Sequence, residues 1–190
     1  AADEDPAERE RSRSAFLARQ AGATAGDFDR RFPPGYFAHR RLLGPEGTYG
    51  RWLLAQPVAI RIGDTVYMHG GPSAILHGRS LERLNADYRA ALQQYLAAES
   101  ALAAAGFLQF EDDYGRRADS AAARIAALPP EAAAAGPTAM LERFRAADDE
   151  PLLGRDGPNW SRGAAMCNEC AEADVLRPWL QQVGARRVVI

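Results

Sequence analysis

Four short stretches carry residues able to do chemistry. In "VYMHGGPS" (66–73), His69 closes an apolar, β-branched run and is followed by two glycines. A strand ending there would fix the imidazole at a sheet edge. The glycines would let backbone or ligand approach closely, and neutral imidazole is a common transition-metal ligand. On the tripeptide alone, a hydrogen-bonded histidine in a glycine turn is the simpler reading. In "GPNWSRG" (157–163), Arg162 sits in a Gly/Pro-rich loop. Its guanidinium fork can bind two oxygens of a phosphate or carboxylate, although in isolation it reads as a solvated loop residue. "FEDDYGRR" (110–117) sets Glu111, Asp112 and Asp113 in a row, which reads first as a solvated turn or helix cap and only second as a metal chelate. Cys167 and Cys170 are separated by two residues. They are half of a zinc site with no second pair nearby, and no strand leads into them as a thioredoxin-like motif requires. Two cysteines on a helix face is the simplest account.

The other two histidines are weaker candidates. His39 lies in a basic helix and reads as a surface or interface residue, and His77 in "ILHGRS", though close in sequence to His69, reads first as a structural residue. Ser73 and Ser161 have no His/Asp partner visible in the sequence, which argues against a serine hydrolase.

The elements that must hold these groups follow from pattern. The chain has 190 residues, is 47% apolar and carries a net charge of -2. That length suits one domain with a real core, and that charge argues against general affinity for nucleic acid or an anionic membrane. All 23 basic residues are arginine. No apolar run approaches the ~20 residues of a membrane span. The opening "AADEDPAERERSRS" lacks the apolar segment of a secretory signal; a removed signal leaves no trace, so the compartment stays open. Asp5-Pro6 reads as a helix cap and first turn, with a charged helix to about Ala21. "GATAGD" reads as a loop, and short helices follow in "YFAHRRLL" and "TYGRWLLAQ". Residues 58–62 and 65–68 are strands joined by Gly63-Asp64, hairpin chemistry of the II′ type. Ser80 caps a long helix over 81–104. Residues 119–147 give two alanine-rich helices separated by "LPPEAAAAGP". The helix before "GARRVVI" is expected to start late, because Pro178 suits only a first turn. "GARRVVI" itself turns into a strand.

Several of these stretches, in order, resemble one family. "GRWLLAQPVAIRIGDTVYMHGG" (50–71) resembles the calcineurin-like metallophosphoesterases, in particular the bacterial Shewanella-like protein phosphatase branch, where Gly-Arg-Trp-Leu precedes a proline, a hairpin and His-Gly-Gly. "FPPGYFAHRRLLGPEGTYG" looks like the same branch. "GPNWSRG" is similar to its Gly-Pro-Leu-Trp-x-Arg-Gly segment, and "VLRPWLQQVGARRVVI" to the helix, turn and strand before its final Gly-His-Thr. The resemblance implies that His69 is one ligand of a centre of two divalent ions (Mn, Fe or Zn) and that Arg162 holds substrate phosphate. Two metals about 3.5–4 Å apart can activate water for in-line attack on a phosphate. It also implies an α/β fold, part of a four-layer αββα sandwich. Residues 1–190 would then be one partial domain, with 80–147 a helical insertion or cap.

The departures matter as much. Of the family's five metal motifs, Gly-Asp-x-His, Gly-Asp-x-x-Asp-Arg-Gly, Gly-Asn-His-Glu, His-Gly-Gly and Gly-His-Thr, only His-Gly-Gly occurs here. Gly63-Asp64 and "GDFDRRF" match neither aspartate motif. Pro72 and Asn159 stand where the family has apolar residues. The expectation is therefore a segment of a metal-dependent phosphomonoester hydrolase, a phosphoprotein phosphatase, inactive by itself. Its partner would be a phosphorylated protein or small phosphate ester, with no nucleic acid and no membrane span. The alternative is a non-catalytic module that binds phosphate or a phosphoprotein on the same scaffold.

Overall fold

The computed structural model describes the backbone of residues 4–166 and 169–190, with the side chains of 4–166 and 173–190. Cys167 and the Cys170 side chain lie outside the described residues. The chain divides into two compact units, Ala1–Gln56 and Pro57–Ile190, where composition alone suggested one.

The first unit is helical: α1 (Pro6–Arg19), α2 (Ala25–Arg31), α3 (Tyr36–Leu43) and α4 (Thr48–Ala55). The expected cap of α1 is present, with Asp5 accepting from the Ala7 N–H and proline in the first turn. The supposed loop at 22–27 instead starts α2. Thr24 and Asp27 form a reciprocal capping box there, a sequence signal of the S/T-x-x-acid type. Phe16, Phe28, Phe32 and Phe37 make the core, their rings 5.2–6.2 Å apart. Apolar burial plus ring-edge geometry suits so small a unit.

The second unit holds the hairpin and everything after it. β1 (Ala59–Ile62) and β2 (Thr65–Met68) are antiparallel. Gly63 has φ +62° and no non-glycine residue among the described ones has positive φ, so only the first turn residue is left-handed, as a II′ turn requires. β3 (Arg187–Val189) adds parallel to β2, giving the order β1-β2-β3. α5 (Leu81–Ala104) begins at the expected Ser80 cap. It is followed by α6 (Arg117–Ala126), α7 (Pro130–Ala134), α8 (Pro137–Asp148), α9 (Gly163–Met166) and α10 (Glu169–Gln182). α7 fills the stretch read as a spacer. Pro178 stands inside α10, not at its first turn.

The expected four-layer αββα sandwich is not what these residues build. Helix makes up 60% of the structure, and the described residues form one small sheet of three strands. The physical reason is compositional. β-branched alternation occurs only around 58–68 and 187–190, whereas the long middle is Ala, Leu, Arg, Glu and Gln, all strong helix formers. A sandwich also needs two sheets facing each other. Here one sheet face is buried, through Ala59, Val66 and Met68, and the other carries Ile60, Ile62, Tyr67 and Val189 at 41–64% exposure.

Two buried clusters hold this unit. One joins the sheet to α10 and the start of α5, through Val66, Met68, Leu76, Leu84, Trp179 and Val183. The other joins the end of α5 to α6 and α8, through Tyr95, Leu102, Ile125, Leu141 and Phe144. α5 is thus a spine with its first turns on the sheet and its last turns in an all-helical cluster. The helical stretch at 80–147 grows out of the sheet packing through this one element.

Candidate functional site

The hairpin aims the His-Gly-Gly stretch. β2 ends at Met68, buried on the core side, and His69 follows on exposed backbone. The chain then runs directly against the 157–163 loop. The Gly70 N–H donates to the Pro158 carbonyl and the Gly71 N–H to the Ser161 carbonyl, both at 2.8 Å. A Cβ on Gly70 would lie 2.6 Å from the Pro158 oxygen and 3.1 Å from Arg162 Nη1. Glycine is therefore required here by close approach of two backbones and a guanidinium. Pro72 and Pro158 are both fully buried, so the proline that departs from the family pattern fits as packing.

The other departure, Asn159, has a structural task as well. Its Nδ2 donates to the Tyr88 hydroxyl on α5 at 2.6 Å, tying the loop to the spine. Burial pushes the Tyr88 hydroxyl above its ordinary pKa, with the Asn159 bond opposing. Ser73 donates to the Asp156 carbonyl at 2.5 Å, a second stitch between the same two segments.

Arg162 points one end of its fork into this junction. Its Nη1 donates to the carbonyls of Asn159 and Ser161, each at 3.1 Å. Among the described residues no carboxylate pairs with it. It lines a cavity of about 530 Å3 together with Ser73, Arg155, Asp156, Trp160 and Met166. Such a size is within the range of small-ligand pockets. Arg155 likewise has no ion pair among the described residues. Two arginines and one aspartate thus line the cavity, a net positive lining that attracts an anion. His69 sits one residue before the junction and is not part of the cavity wall.

The other candidates separate from this site. His77 uses Nε2 to donate to the Val175 carbonyl at 3.0 Å, since a carbonyl oxygen has no proton to give. His39 is exposed on α3, in the first unit. Of the three carboxylates at 111–113, Asp112 is bound bidentately by Arg124 at 2.6 and 2.7 Å and Asp113 caps the 3-10 turn at Tyr114–Arg116. Both serve the fold.

A two-metal centre does not fit these residues by themselves. Among the described residues there is no group of three His, Cys, Asp or Glu side chains able to hold an ion. One imidazole falls short of the roughly three protein ligands a catalytic metal needs.

The sequence reading missed Arg155. Its only signal was a charged residue between two glycines in the loop that also carries Arg162. No helix among the described residues is long and apolar enough to cross a membrane. Comparison with protein-family models, curated proteins and solved structures finds no match.

Proposed function

We propose that this chain supplies the phosphate-recognising part of a metal-dependent phosphomonoester hydrolase acting on a phosphorylated protein or a small phosphate ester. The observation that supports the reading is the pair of 2.8 Å bonds from Gly70 and Gly71 to the 157–163 loop. Two stretches about ninety residues apart, singled out for different chemistry, lie against each other beside an arginine-bearing cavity. Arg162 would clamp two phosphate oxygens, with its other end already held by backbone carbonyls. Preorganised donors of this kind act without reorganisation cost when charge develops. His69 would give one metal bond, and the remaining ligands would come from chain outside these 190 residues.

The test is to express the full coding frame around this segment and assay metal content and p-nitrophenyl phosphate hydrolysis. Arg162→Ala should lower kcat/KM by roughly 10²–10³-fold, the usual loss for one such donor. His69→Asn should lower bound metal. A frame that adds no metal-ligating motifs, with a product that binds phosphate but turns nothing over, would replace this reading with the non-catalytic phosphate-binding module.

A further inference from the structure

The cavity is larger than a phosphate needs, and its second guanidinium is unexplained by phosphate binding at Arg162. Arg155 is exposed, lines the same cavity and has no ion pair among the described residues. Asp156 beside it forms none of the ion pairs, so no carboxylate among the described residues holds the Arg155 guanidinium. The rim is apolar as well as basic: Trp160 is 62% exposed and Met166 81%. A flat indole and a flexible thioether offer surface to a chain of varied side chains, as adaptable peptide-binding sites do. A mouth open to solvent, formed by the 155–162 loop with residues of α9 and α10, suits an extended segment better than a small metabolite enclosed on all sides.

We propose that Arg155 is a specificity residue for a second anionic group on the substrate, and that the substrate is a phosphorylated peptide segment with an acidic side chain next to the phosphorylated residue. This rests on the assignment of Arg162 as the phosphate site. Phosphate on Arg162 leaves Arg155 to take the neighbouring carboxylate, two-point recognition that a single arginine cannot give. Asp156 disfavours an anion placed directly against it, so discrimination is by position as well as by charge.

The experiment is a titration of the 190-residue chain with dye-labelled peptides, read by fluorescence anisotropy. Each peptide carries phosphoserine or phosphotyrosine flanked by Glu, Ala or Arg; unphosphorylated versions and a small bisphosphate ester serve as competitors. The wild type should bind Glu-flanked phosphopeptides about tenfold more tightly than Ala-flanked ones, in line with one charge-assisted contact. Arg155→Ala should remove that preference, bringing Glu-flanked and Ala-flanked phosphopeptides to equal affinity. Arg155→Glu should invert it toward Arg-flanked peptides, a gain that misfolding cannot produce. Equal binding of Glu- and Ala-flanked phosphopeptides, or a preference that survives Arg155→Ala, overturns the proposal while leaving the phosphate site standing. A bisphosphate ester that competes as well as the acidic phosphopeptide overturns the peptide assignment. Failure to bind any phosphopeptide, or binding unaffected by Arg162→Ala, overturns the phosphate site and this proposal with it.

Discussion

Gly70 is the residue on which the site geometry turns. A methyl group there would meet the Pro158 oxygen at 2.6 Å, and backbone cannot yield as a side-chain tip can. Gly70→Ala is therefore expected to cost about 1–3 kcal/mol, the usual range for overpacking, and to weaken phosphate binding as the two loops part. Urea denaturation with a phosphate titration checks both; an unchanged midpoint would mean the loops are not held by this contact. Asp112 is a second residue with a definite expected response. Burial by itself raises its carboxyl pKa, but the bidentate Arg124 bonds and the Gln109 N–H outweigh burial and hold it below the usual range. A depressed folded value stabilises above the unfolded pKa of about 3.9 and loses that contribution as pH falls through the folded value. Asp112→Asn should cost about 1–3 kcal/mol at pH 7, allowing for the partial exposure of Arg124. The gap from wild type should narrow as the pH falls below about 4. A gap constant from pH 7 to 3 would rule out the ion pair as its origin.

Among elements, α5 does the most joining. Asn85 in its second turn accepts from the N–H groups of Val58 and Ala59 and donates to the Ala59 carbonyl, all within 2.9–3.0 Å. One amide side chain thereby takes up the Val58 and Ala59 backbone groups at the start of β1, an edge strand of the sheet among the described residues. Asn85→Ala leaves those backbone groups without partners and should cost about 2–3 kcal/mol, more than the roughly 1 kcal/mol expected for the cap change Ser80→Ala. Thermal denaturation of the two variants decides the order. If Ser80→Ala cost more, local helix initiation would outrank the helix–sheet bond. The Ser80 cap, the hairpin turn and the end of α3 at Gly44 were legible because each rests on local backbone chemistry. α7 was not, because its sequence of prolines and alanines carries no apolar period. Neither was the interior place of Pro178, because packing of Trp179 and Val183 into the sheet cluster holds α10 together across it.

For the whole molecule, the exposed sheet face is the most consequential feature. Ile60, Ile62, Tyr67 and Val189 lie together on it by register, beside Thr65 and Arg187, so four exposed apolar side chains are gathered on one face. The 190-residue chain should bind an apolar dye such as ANS under native conditions. Ile60→Thr with Ile62→Thr, which keeps β-branching, should at least halve that signal without lowering helicity by circular dichroism. An unchanged signal would place the dye elsewhere, for example among the alanines and Met140 that line a groove between α5 and α8.

The sequence by itself determined what depends on near neighbours: the helix caps, the II′ hairpin, the long spine helix, and the residue types at 69 and 162 that could serve a phosphate chemistry. It also carried a family resemblance whose sandwich these residues do not form, since the stretch between the hairpin and the last strand is made of helix formers. Only the tertiary structure decided that the Gly70 and Gly71 amides bond to the 157–163 loop, that Asn159 ties that loop to Tyr88, and that Arg155 shares a cavity with Arg162. The glycine amide bonds and the Asn159–Tyr88 bond join residues 71 to 90 apart in the chain. No local propensity encodes such pairings; they appear only once the two buried clusters have folded the chain back on itself.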